Sequence, residues 1–128
     1  MVSPPKAAPV AILIVDDDLG FLVWLGLTLS AGGFVTVPAT SAFQARQLVQ
    51  ELGIRINLAI VNPGLPDTSD LASSMKQRDA ALKVIAIQAS SFGPSLAPKA
   101  DASHSRSKLG WITLVRRILG IERATGAR

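Results

Sequence analysis

Asp16, Asp17 and Asp18 are the residues of this 128-residue chain best placed by type and spacing to do chemistry. Three adjacent carboxylates repel one another, so a cation should face them: a metal ion, a lysine or an arginine. The competing reading is a solvated acidic turn that also caps the next helix. Elsewhere chemistry-bearing residues are sparse. His104 is the sole histidine, and no nucleophile accompanies it. The absence of cysteine excludes disulfides and thiolate metal sites and fits a reducing compartment.

The acids end a run of apolar residues, 10–15, that shows no alternation. Such a run reads as a strand buried on both faces, at the centre of a parallel sheet flanked by helices. In that architecture ligands bind beyond the carboxyl ends of the strands, which is where the three aspartates fall.

The remaining chain alternates strand and helix. Residues 19–30 form a first helix that carries Phe21, Leu22, Val23, Trp24, Leu25, Leu27 and Leu29 right round its wheel and stops at Gly32 or Gly33. Such a helix is either covered on both sides or presents an apolar patch to a partner. Residues 34–37 form a second strand. Thr40 or Ser41 caps a helix over 42–52, with Phe43, Ala45, Leu48, Val49 and Leu52 inward. Residues 58–61 form a third strand ending in the turn Asn62-Pro63-Gly64-Leu65-Pro66. Thr68 or Ser69 caps a third helix to about residue 81, and 83–87 form a fourth strand. Pro94 and Pro98 leave room for a turn or two of helix in the next stretch. Residues 101–105 are expected as a fifth strand despite having almost nothing apolar. Residues 109–123 form a last helix with Trp111, Ile112, Leu114, Val115 and Ile118 on one half and Arg116, Arg117 and Arg123 on the other. The series builds right-handed βαβ units.

With 48% apolar residues, the chain can bury one core. Residues 1–9 read as a flexible tail, 10–123 as the domain and 124–128 as a frayed end. The net charge of +4 is scattered except near the C-terminus, without interleaved aromatics, so no nucleic-acid partner is expected. No apolar run is long enough to span a bilayer, and the first is too short for a signal peptide; a cytoplasmic protein is expected.

The motif Ile12-Leu13-Ile14-Val15-Asp16-Asp17-Asp18, followed at family spacing by Leu58-Ala59-Ile60-Val61-Asn62 and Leu65-Pro66-Asp67, resembles the receiver domain of bacterial two-component response regulators. The resemblance runs from about residue 10 to residue 119. It implies a flavodoxin-like α/β fold: a doubly wound, five-stranded parallel sheet of order 2-1-3-4-5, here with a shortened fourth helix. It also implies phosphoryl transfer from a kinase to an aspartate ending the third strand, assisted by Mg²⁺ on a neighbouring acidic pair, by a lysine and by a threonine or serine. Asp16 and Asp17 match the metal-binding pair. The phosphoacceptor position is Asn62, the hydroxyl position is Gln88, and the lysine position is Arg106, with Lys108 close by.

These departures imply a degenerate receiver. A carboxamide is a poor nucleophile and leaves no acyl phosphate. Loss of one negative charge weakens Mg²⁺ binding, so no cofactor is required. Gln88 is expected to fill space that a phosphoryl group would take. Arg106 or Lys108 is expected to lie against the acidic pair in place of the metal. The function expected is therefore a non-enzymatic signalling module that works by contact with a histidine kinase, another regulator or a second copy of itself. A homodimer would form through the first and last helices, where Trp24 and Trp111 share a patch or pack on each other. Two alternatives compete. One is a single-domain response regulator that still takes a phosphoryl group with Mg²⁺ on another carboxylate. The other is a doubly wound domain that binds a small ligand in the crevice above Asp16 and Asn62, although a glycine-rich phosphate loop is missing.

Overall fold

The computed structural model describes residues 9–88, 100–105 and 109–121. Strand β1 (Ala11–Val15) lies inside the sheet, between β2 and β3, and each of its side chains is buried. It is followed by α1 (Leu19–Ala31), β2 (Val35–Ala39), α2 (Ala42–Leu52), β3 (Leu58–Val61), α3 (Thr68–Arg78), β4 (Lys83–Gln88), β5 (Ala102–Ser105) and α4 (Trp111–Leu119). The strands form one parallel sheet in the order β2-β1-β3-β4-β5.

The unbroken apolar run of β1 serves two cores. Ile12 and Ile14 point to one face, where α1 and α4 pack through Phe21, Leu22, Leu25, Leu29, Trp111 and Val115. Ala11, Leu13 and Val15 point to the other, where α2 and α3 pack through Ala42, Ala45 and Leu71. Period-two geometry makes one strand feed both layers.

Several boundaries differ from expectation for local reasons. The second strand runs over Val35–Ala39 instead of 34–37. Phe34 is buried before the strand begins, and Pro38 is tolerated because β2 is an edge strand. Ser41 caps α2 by accepting from the Gln44 N–H at 3.1 Å, and Gln44 Oε1 accepts from the Thr40 N–H at 2.7 Å. Phe43 and Leu52, expected inward, are 71% and 51% exposed. No hydroxyl caps α3: Asp67 holds that position with φ 65°, and Thr68 lies inside the helix. The helix stops at Arg78, short of residue 81. Gly110 (φ 87°) and Gly120 (φ 72°) bracket α4, making it shorter than the span 109–123. The shortened helix expected between Gln88 and β5 lies outside the described residues, as do both expected tails save Pro9.

β5 forms although its sequence is Ala-Ser-His-Ser. Asp101, just before it, supplies the missing drive. Its N–H donates to the Val84 carbonyl and its carboxylate accepts from the Val84 N–H, both at 2.7 Å. Lys76 of α3 reaches the same carboxylate at 3.0 Å.

Candidate functional site

Asp16 and Asn62 come together at the carboxyl edge of the sheet. The β1–β2 ladder continues through the Asp16 N–H to the Ala39 carbonyl at 3.1 Å. The β1–β3 ladder continues through the Asn62 N–H to the Val15 carbonyl at 2.9 Å. Each residue is thus held one step beyond its strand, on neighbouring strands. Asp16 is wholly buried and Asn62 is 6% exposed.

A buried carboxylate needs donors. Asp16 Oδ1 accepts from Asn62 Nδ2 and from the Asp18 N–H, each at 3.2 Å. Asn62 Oδ1 accepts from the Gly64 N–H at 2.8 Å. The two contacts fix the sense of the carboxamide: oxygen to the backbone donor, nitrogen to the carboxylate. The turn is anchored from below by Thr68, whose hydroxyl is 2.8 Å from the Asn62 carbonyl and 2.9 Å from that of Leu65 and shares its proton between them. Thr68 is fully buried. Asp18 caps α1 by accepting from the Phe21 N–H at 3.1 Å, so the acidic turn does cap the next helix. Asp17 is exposed.

Gln88 ends β4 and is exposed; its amide donates to Ser103 Oγ on β5 at 3.3 Å. Arg106 and Lys108 lie outside the described residues. The shared tryptophan surface needs correcting. Trp24 is 43% exposed, but Trp111 is 1% exposed and belongs to the core. Phe21 stands between them, its ring centre 6.2 Å from that of Trp24 and 5.7 Å from that of Trp111. His104 packs edge-on against Trp111 at 4.5 Å, and its Nε2 is 2.9 Å from the Leu109 carbonyl, so that nitrogen carries the proton. This makes His104 a packing residue between β5 and α4.

Sequence reasoning missed Thr68 and Asp101. Hydroxyls favour the helix-cap position, but Thr68 instead donates to the carbonyls of Asn62 and Leu65. Asp101 stands just before β5, outside the strand expected to begin with it. Burial pushes its carboxyl up, but the Val84 N–H and the cations Lys76 and Lys83 outweigh that and hold it below the ordinary aspartate value.

This fold is that of response regulator receiver domains. The chain is similar to a CheY-like receiver domain protein of Methanospirillum hungatei, with 22% identity and a TM-score of 0.74 over 93% of this chain and 100% of that one. It is similar to the signal receiver domain of an HD domain-containing protein of Pseudomonas fluorescens, with 20% identity and a TM-score of 0.74 over 100% of this chain and 99% of that one. A chemotaxis protein of Vibrio cholerae matches at 16% identity and a TM-score of 0.70, over 87% of this chain and 99% of that one. At these identities the likeness establishes the fold. No family model and no curated protein matches the chain.

The Mg²⁺ that such a fold implies fits these residues poorly. Its donors would be Asp16, Asp17 and the residue at position 62. At that position the oxygen accepts from Gly64, and an N–H is turned onto Asp16. Among the described residues no group of three or more histidine, cysteine or acidic side chains could hold a metal ion. None of their helices is long and apolar enough to cross a membrane.

Proposed function

We propose that the chain is a degenerate response-regulator receiver of two-component signalling, which acts without phosphorylation, without a required metal and by protein–protein contact. The observation that carries the reading is the Asn62 carboxamide bonded to the buried Asp16. In a phosphoaccepting site two carboxylates would meet at this point and a cation would hold them together. Here an amide N–H does that work, and the side chain at position 62 lacks the nucleophilic oxygen that forms an acyl phosphate.

The contact surface is the outward side of α1. Leu19, Val23 and Leu27 recur at helical spacing and are 63%, 61% and 68% exposed, with Trp24 beside them. No residue of this helix is charged. With Trp111 in the core, the dimer or partner surface rests on α1 alone rather than on a joint patch with α4. A kinase, another regulator or a second copy is the class of partner such a surface serves in this reading.

The test is the intact mass of the purified protein after incubation with acetyl phosphate and Mg²⁺. No gain is expected. A gain lost on hydroxylamine treatment would mean an acyl phosphate on another carboxylate and would overturn the reading.

A further inference from the structure

A groove opens on the opposite face of the sheet, in the seam between α2 and α3. Helical spacing puts Leu71, Ser74, Met75 and Arg78 on the side of α3 that looks at α2. Arg46, Val49 and Gln50 line the facing side of α2 in the same way. Between them opens a cavity of about 220 Å³. Its floor is apolar: Leu71 is buried, and Val49 and Met75 are half-buried. Its rim carries two guanidinium groups and no carboxylate.

Two cations on this side of the sheet are already paired. Arg55 is bonded to Asp79 at 2.8 Å and Lys76 to Asp101 at 3.0 Å. Arg46 and Arg78 have no carboxylate partner among the described residues. Two like charges at one apolar cleft are satisfied by an anion, and guanidinium forks suit planar or tetrahedral oxyanions.

We propose that the α2–α3 cleft binds a small organic anion: a carboxylate or phosphate carried on an apolar body. Arg46 and Arg78 grip the oxyanion, Ser74 and Gln50 supply further polar contacts, and Leu71, Val49 and Met75 cover the body. A groove of about 220 Å³ suits a small ligand. The inference is independent of the Asp16–Asn62 site and of the α1 surface.

The test is calorimetric titration of the whole chain with phenyl phosphate, phenylacetate, inorganic phosphate and phenol. At least one of the two aromatic anions is expected to bind about tenfold more tightly than inorganic phosphate, with phenol silent. Arg46→Gln and Arg78→Gln should each weaken that binding by about tenfold. Both side chains are exposed, so the fold is unaffected. Met75→Ala should weaken the aromatic anion several-fold and leave inorganic phosphate unchanged. Arg55→Gln, outside the cleft, should change nothing. Absence of heat with both aromatic anions at millimolar concentration overturns the proposal. So does binding that neither arginine variant weakens.

Discussion

The two faces of the sheet are closed by different means. On one, α1 and α4 close the core with volume: Phe21, Leu22, Leu25, Leu29 and Trp111 pack on Ile12, Ile14, Ile60 and Ile85. On the other, α2 and α3 bury no aromatic ring and bring Ala42, Ala45 and Leu71 against Leu13, Val15, Ala59 and Val84. Ion pairs edge this face, Lys76 with the partly exposed Asp101 and the exposed Arg55 with Asp79. The outer surfaces follow suit. α1 is uncharged and apolar outside as well as in, whereas the α2–α3 seam is rimmed by two arginines. A face sealed by large apolar side chains leaves an outside that suits an apolar partner. A face stapled by charge is the one that pH and anions can reach.

The sharpest way to break this contrast is to remove the largest side chain. Trp111 is 1% exposed and touches both Phe21 and His104. Trp111→Ala should cost about 3–5 kcal/mol in denaturant unfolding. Leu71→Ala, on the charge-stapled face, should cost about 2–3 kcal/mol. Equal losses would mean that the two faces are closed alike. The indole N–H of Trp111 is buried with no hydrogen-bond partner among the described residues. Trp111→Phe therefore loses packing but no hydrogen bond, and should fall well short of the alanine variant.

Position 62 lies where the two faces meet, and it should give the next largest effect. Asn62→Asp would set a second carboxylate 3.2 Å from the buried Asp16 oxygen, on the coordinates of the present amide nitrogen. The lost N–H and the new repulsion should cost about 1–3 kcal/mol at neutral pH. The sign with pH is fixed. Repulsion raises the carboxyl pair's affinity for a proton in the folded state, so the deficit shrinks as pH falls. Mg²⁺ should raise the melting temperature of the variant and leave that of the natural sequence unchanged. A variant as stable as the natural chain at every pH would show that the amide–carboxylate bond does nothing.

How much of this was legible depends on what each element draws on. β1 was readable because burial on both faces removes alternation and leaves a bare apolar run. The meeting of Asp16 and Asn62 was readable because both follow such runs. α1 was not readable in orientation. Its apolar residues surround the helix, so the pattern cannot say that Leu25 and Leu29 face the sheet while Val23 and Leu27 face outward. The fate of the two tryptophans was decided the same way, by what lies beneath each helix. Phe43 and Leu52 stand on α2 at positions that a generous apolar arc includes and that the small-residue core does not reach. β5 carries almost no pattern, because its drive is tertiary: a ladder to β4 and the Asp101 staple. The position of Gln88 at the end of β4 is legible, but the serine of β5 that its amide reaches is not.

That staple provides the mildest test, confined to the charge-closed face. Asp101 does two separable things: it accepts from the Val84 N–H and it pairs with Lys76. Asp101→Asn keeps an acceptor for Val84 and removes the charge, which at a partly exposed pair should cost about 0.5–1 kcal/mol. Asp101→Ala removes both and should cost about 1–2 kcal/mol, because a backbone donor loses its partner. Since folding holds this carboxyl below its ordinary value, its contribution is fully present above the unfolded-state pKa. It is lost as pH falls through the lower folded value. The stability gap between the natural chain and Asp101→Asn should therefore close on acidification, while the gap for Trp111→Ala stays open. Melting curves of the three proteins from neutral to acid pH separate the two kinds of closure. A gap for Asp101→Asn that persists in acid would show that the charge of this carboxylate does not hold β5.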